Sequence, residues 1–216
     1  MPALARPVKM TEEEYLAFEN ASDEKHEYWD GWVVPRHGWD ATGTVAMAGA
    51  SPDHSDVQAN LSGALLPHAR RRGCRIGSGD QRMRMPNGRY VYPDYVLVCG
   101  EPAYSGLNPP ELLNPMLVVE ITSDSTEATD RGRKLTAYTR IESLREYWIV
   151  DAGEPTVTRL VRQPQGWLLQ TTSGLDAAVR CETLGLDVAL ADLYAGVDLA
   201  DRPPYGPPYG PPYGPA

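Results

Sequence analysis

The sequence predicts an α/β (α+β) fold, a mixed β-sheet flanked by helices with additional β-hairpins. Three observations lead there. Ser51-Pro52-Asp53 and Ser125 or Thr126 are helix-start signals ahead of apolar residues at helical spacing. Asp30-Gly31 and Asn87-Gly88 are two-residue hairpin turns between strand-like segments. Tyr95 to Cys99 and Met116 to Val119 are short apolar runs that read as buried strands.

Taken in chain order, Thr11 to Glu14 is a capping box (T-x-x-E) opening a short helix through about Phe18. Lys25 to Pro35 is a hairpin turning at Asp30-Gly31, Arg36 to Gly43 a loop, and Thr44 to Met47 a further strand. The helix from Ser51 buries Val57, Leu61, Ala64 and Leu65 and ends near Gly73. Strands follow at Arg75 to Gly77, Gln81 to Met85 and Tyr90 to Val91, then the two apolar runs. The helix capped at Ser125 or Thr126 extends to about Ile141. Beyond it, Glu146 to Val150, Thr156 to Arg162, Trp167 to Thr172 and Val179 to Cys181 read as strands, and Leu190 to Tyr194 as a helical turn.

A chain of 216 residues fits one domain, here residues 1–200, with residues 201–216 as an appendage. From Pro203 the chain repeats Pro-Pro-Tyr-Gly three times, which suits a disordered, extended spacer. A ligand for a proline-recognition domain is the alternative. No run of about 18 apolar residues and no signal-peptide core are present, so neither membrane insertion nor export is expected. Cys74, Cys99 and Cys181 lack any C-x-x-C spacing and are read as reduced thiols of a cytoplasmic protein. The net charge of -9 argues against non-specific coating of nucleic acid but leaves room for a local basic patch.

Each apolar run carries one carboxylate at a matched end, Asp94 before Tyr95 and Glu120 after Val119. Burying an isolated carboxylate costs several kcal/mol unless a cation, hydrogen bonds or protonation compensates it. An antiparallel register that sets Asp94 opposite Glu120 puts both on one face of strands about 4.8 Å apart, where they can share a divalent ion. Solvated or hydrogen-bonded strand ends are the plainer reading of either residue alone.

Lysine is scarce, three residues against 17 arginines among the 20 basic residues, so each position bears inspection. On a helical wheel Lys134 projects from the middle of the face formed by Leu135, Ala137, Tyr138 and Ile141. It must snorkel, pair with Asp130 one turn earlier, or reach a buried carboxylate cluster. The densest basic stretch, His68 to Arg75, includes Arg70, Arg71 and Arg72. It either complements a helix C-terminus or contacts phosphates, with Arg82, Arg84 and Arg89 extending the patch.

Pro93-Asp94, Glu120-Ile121-Thr122, Asp130, Lys134, Tyr138 and Glu146-Tyr147-Trp148-Ile149-Val150-Asp151 together resemble the Uma2 family of endonucleases, a branch of the PD-(D/E)xK superfamily. The likeness spans about Met10 to Tyr194 and includes Glu27-Tyr28-Trp29-Asp30-Gly31 and His54. It implies a restriction-endonuclease-like fold. The superfamily pattern has lysine two residues after the glutamate, where this chain has Thr122. The resemblance implies a lysine delivered instead from the following helix, which maps onto Lys134.

The implied activity is Mg²⁺-dependent phosphodiester hydrolysis, with Mn²⁺ as a substitute and DNA as the expected partner. Asp94, Glu120 and the Ile121 carbonyl would hold the metal at about 2.1 Å, and Lys134 would stabilise the hydroxide or the phosphate charge. The resemblance gives Glu27 an outer-sphere or second-metal role and Tyr138 a supporting one. His54 is either a phosphate donor or a residue of the helix start. A homodimer suits cutting of both strands. A degenerate nucleic-acid-binding or regulatory module of the same fold is the alternative. A small-molecule hydrolase fits less well, because no Ser/His/Asp set or phosphate-binding glycine loop is recognisable.

Overall fold

The computed structural model describes residues 4, 6–36, 51–122, 132 and 134–199. Thr44 to Met47, Ser125, Thr126, Asp130 and residues 201–216 lie outside them. Strand β1 (Val8–Lys9) leads into helix α1 (Glu12–Asn20). The Thr11 hydroxyl accepts the Glu14 N–H at 3.2 Å, and the Glu14 carboxylate accepts the Thr11 N–H at 2.7 Å, closing the expected capping box. Strands β2 (His26–Trp29) and β3 (Trp32–Pro35) turn through Asp30 (φ 52°) and Gly31 (φ 91°). Two successive positive φ angles define a turn whose twist matches the flanking strands.

Helix α2 (Pro52–Arg71) is capped by the Ser51 hydroxyl, which accepts the His54 N–H at 3.2 Å, and ends before Gly73 at φ 68°. Strands β4 (Cys74–Ser78), β5 (Met83–Met85), β6 (Arg89–Val91), β7 (Tyr95–Cys99) and β8 (Leu117–Thr122) follow. Helix α3 (Leu135–Tyr138), β9 (Glu146–Asp151), β10 (Thr156–Gln163), β11 (Gly166–Ser173), β12 (Ala178–Cys181), β13 (Leu186–Ala189) and α4 (Leu190–Leu193) complete the order.

Six strands form a mixed sheet in the order β11-β10-β9-β8-β7-β4, with β8 and β9 parallel. Alternate residues divide between two cores. Tyr95, Leu97, Leu117, Val119, Ile121, Trp148 and Val150 meet α2 through Val57, Leu61 and Leu65. Val96, Val98, Val118, Tyr147 and Ile149 face the other way, toward Ala137, Tyr138, Ile141 and residues of a second sheet, β1-β3-β2-β6-β5. Every residue of β8 and β9 is buried because both faces are covered. That is why the central strands read as apolar runs.

Three expectations change. Helix α3 ends at Tyr138 rather than Ile141, because Arg140 and Ile141 tighten into a turn on the carbonyls of Ala137 and Tyr138. The strand expected from Gln81 begins at Met83, since the Gln81 amide closes a turn onto Ser78. Cys74 and Cys99 are not reduced thiols but a disulfide, because β4 pairs with β7 in the register that sets them opposite one another. Cys181 remains a buried thiol. No described helix is long and apolar enough to cross a membrane.

Leu61 has no exposed surface. Leu61→Ala should therefore cost about 2–5 kcal/mol in urea unfolding. Leu169→Ala, on the exposed strand β11, should stay within about 0.5 kcal/mol of the parent.

Candidate active site

The register of β7 against β8 pairs Tyr95 with Val119, Val96 with Val118 and Leu97 with Leu117. One step further on, that register sets Asp94 opposite Glu120. Pro93 holds the strand entrance extended, and the Asp94 Oδ2 accepts the Ile121 N–H at 2.7 Å. Asp94 is 6% exposed and Glu120 is 3% exposed, so both carboxylates are withdrawn from water.

Lys134 stands at the start of α3 and is 6% exposed. Its Nζ lies 3.1 Å from Glu120 Oε1 and 3.3 Å from Glu27 Oε1. The same Glu120 oxygen accepts the Tyr138 hydroxyl at 2.5 Å. Burial first, then the charges of Glu120 and Glu27, push the Tyr138 hydroxyl well above the ordinary tyrosine value, keeping it a proton donor to Glu120. The wheel thus holds in three dimensions, since Lys134 leaves the apolar face where Tyr138 and Ala137 pack and reaches carboxylates. Its alternative partner, Asp130, lies outside the described residues.

Glu27 comes from the opposite sheet. Trp29, two residues on and therefore on the same face of β2, donates its indole N–H to Glu27 Oε2 at 2.9 Å. This bond is signalled by period-two spacing in the Glu27-Tyr28-Trp29 segment, although sequence reasoning did not single it out. Thr122 is buried, and its hydroxyl donates to the Val150 carbonyl at 3.4 Å rather than joining the carboxylates.

Around Asp94 a second set of contacts forms. Arg36 Nη2 lies 2.7 Å from Asp94 Oδ1, and His54 Nε2 lies 3.3 Å from Oδ2. Gln58 donates its side-chain amide to the Asp94 carbonyl at 2.9 Å. Burial pushes the Asp94 carboxyl up, but the hydrogen bond and charge of His54, then Arg36 and the Ile121 amide, outweigh it and hold the group below the usual range. Arg36 and Gln58 were missed from sequence, because Arg36 meets Asp94 across 58 residues and no local pattern marks the contact.

The described residues form two neighbouring groups, Glu120 and Glu27 sharing Lys134, and Asp94 meeting Arg36 and His54. Carboxylate oxygens as donors suit a hard divalent cation. Among the described residues no three His, Cys, Asp or Glu side chains form a ready-made metal cage. That donor set matches Mg²⁺, which keeps several waters and takes one or two carboxylates plus a phosphate, better than it matches zinc.

The basic residues are placed differently from expectation. Arg70, Arg71 and Arg72 close the C-terminal end of α2, whereas His54 opens it. At 1.5 Å per residue the two ends are about 25 Å apart, so the arginines stand away from the carboxylates. Arg82, Arg84 and Arg89 do not extend a free patch: they pair with Glu111, Glu12 and Asp30 at 2.6, 2.9 and 2.8 Å.

With fold and geometry in hand, comparison with known proteins defines the class. The Uma2 family, described as "Putative restriction endonuclease", matches residues 12–191, and the chain belongs to that family. The relatives include an "Uncharacterized protein slr1290" of Synechocystis sp., 31% identical over 191 residues, covering 88% of this chain and 93% of the relative. A second Synechocystis protein, sll1609, is 30% identical over 152 residues, covering 70% and 80%. A crystal structure of a "putative nuclease belonging to DUF820" from Anabaena variabilis superposes with a TM-score of 0.64 at 18% identity, covering 86% of this chain and 98% of that one. That likeness shows a shared fold.

Removing the Lys134 ammonium leaves two buried carboxylates without their shared cation. Lys134→Met should cost about 3–5 kcal/mol in urea unfolding without divalent ions, and adding Glu27→Gln should recover part of the loss. Because the Asp94 pKa is depressed in the folded state, its stabilisation is present above the unfolded value of about 3.9 and disappears as pH falls through the folded value. Asp94→Asn should therefore flatten the acid limb of the stability profile, as read from thermal midpoints across pH.

Proposed function

We propose that this protein is a metal-dependent endonuclease that hydrolyses phosphodiester bonds of nucleic acid, DNA being its substrate, with Asp94, Glu120 and Lys134 as its active residues. The observation that carries this reading is the buried lysine: Lys134 reaches Glu120 from a separate helix, while Thr122 stands where the superfamily pattern has lysine. Asp94, Glu120 and the Ile121 carbonyl, whose own N–H already meets Asp94, are the proposed holders of Mg²⁺ or Mn²⁺. When bound, such an ion acidifies its water and polarises a phosphate oxygen.

The chain's own groups do the rest. Lys134 lies beside Glu120, where its ammonium would face developing hydroxide or phosphate charge. Tyr138 fixes the orientation of the Glu120 carboxylate, and Glu27 shares the lysine and holds it within reach. His54, facing Asp94 from the first turn of α2, is placed to meet the phosphate. Arg70, Arg71 and Arg72, about seven nucleotides away at 3.4 Å per base, serve flanking backbone rather than the scissile group. Two copies acting together would cut both strands, and the exposed, uncharged edge strand β11 supports a homodimer.

A degenerate binding module is the second reading, favoured by the fact that Arg36 and His54 already compensate Asp94 without a cation. Cleavage assays over single- and double-stranded DNA and RNA with Mg²⁺, Mn²⁺ or chelator decide between the two. The nuclease reading expects divalent-dependent cleavage that falls at least about 100-fold in Asp94→Asn, Glu120→Gln and Lys134→Met. Folded variants that cleave as the parent does would refute it, and absent turnover with retained DNA binding would establish the module. Replacing Arg70, Arg71 and Arg72 together by Ala should weaken binding to long DNA and lower its salt slope, while cleavage of very short oligonucleotides is spared.

A further inference from the structure

Both oxygens of Asp94 are occupied. Oδ1 receives Arg36 at 2.7 Å, and Oδ2 receives the Ile121 amide at 2.7 Å with His54 at 3.3 Å. A cation reaching this carboxylate competes with these partners, and most directly with the Arg36 charge on Oδ1. The Ile121 N–H belongs to a buried central strand and cannot withdraw without moving the fold, and the His54 imidazole, on a short side chain, has less reach to leave than the Arg36 guanidinium. Arg36 ends a long, flexible side chain beyond β3, which also donates to the Tyr92 carbonyl at 3.1 Å and faces the charge of Asp80.

Space for that withdrawal exists. Arg36 lines a cavity of about 460 Å³ together with His54, Ser55, Gln58, Ser78 and Asp80. The guanidinium packs against Gly79, where any Cβ would run into it. Asp80 on the same wall is already paired with Lys25. The His54 Nδ1 is buried and has no hydrogen-bond partner among the described residues.

We propose that Arg36 is the resident counter-ion of Asp94, displaced by the incoming divalent cation, and that its released guanidinium then holds a backbone phosphate of the nucleic acid in the adjoining cavity. The proposal rests on Asp94 being a cation ligand, as in the proposed function. Exchange of this kind keeps the carboxylate compensated throughout, so a bare buried charge never has to be stabilised. A guanidinium and a divalent ion cannot both sit on one carboxylate without mutual repulsion. The planar fork of arginine matches phosphate oxygens in two-point contact, and His54 and Ser55 add further polar groups to the same cavity.

The test is Mn²⁺ titration calorimetry on the full chain, with circular dichroism confirming the fold of each variant. Arg36→Gln removes the counter-ion. Gly79→Ala keeps the charge but pushes the guanidinium off its seat beside Asp94. Both should bind Mn²⁺ about five- to tenfold more tightly than the parent, and Asp94→Asn should lose that binding. In Ca²⁺, Arg36→Gln should bind a short DNA oligonucleotide about tenfold more weakly. Tighter Mn²⁺ binding in Arg36→Gln alone would mean simple charge repulsion and overturn the exchange, as would unchanged or weaker binding in both variants. Undiminished DNA affinity in Arg36→Gln would overturn the phosphate role. Mn²⁺ binding that survives Asp94→Asn would overturn the cation site itself along with the exchange built on it.

Discussion

The site depends on one buried ammonium. Lys134 stands between Glu120 and Glu27, two carboxylates from different sheets, and all three are almost wholly withdrawn from water. Without a shared cation the two carboxylates would repel each other in a medium where such repulsion is weakly screened. The lysine therefore ties α3, β8 and β2 together at a place where apolar packing alone would leave charges unpaired. Tyr138, one helical turn later on the same face, adds a hydrogen bond to the same glutamate.

Asp94 shows the complementary arrangement. It is compensated by Arg36, His54 and a backbone amide, so the two strand-borne acids are neutralised from opposite sides by different groups. Lys134 is locked in the core between two sheets, whereas Arg36 borders a cavity. The two acids therefore have partners of different kinds, one buried between the sheets and one bordering a cavity. The chain belongs to the Uma2 family, described as "Putative restriction endonuclease".

Much of this was legible before any coordinates. The capping box at Thr11, both two-residue turns and the start of α2 are local hydrogen-bond and φ requirements that short sequence windows carry. The register that opposes Asp94 and Glu120 was an assumption, because the long loop between the two strands does not fix their pairing, and β7 and β8 adopt it. The Trp29 bond to Glu27 obeys strand alternation and lay within reach of the same reasoning.

What the chain alone determined, then, is where the candidate residues lie: two acids at matched strand ends and a lysine on an apolar helical face. These are statements about spacing, and spacing is a property of the sequence. Tertiary structure alone decided which charges meet. Arg36 reaches Asp94, Cys74 meets Cys99, and Arg82, Arg84 and Arg89 are consumed by acids from distant segments. The physical reason is that an ion pair or a cross-strand contact depends on the order in which strands assemble, and that order follows from burying both faces of the central sheet at once rather than from any local window.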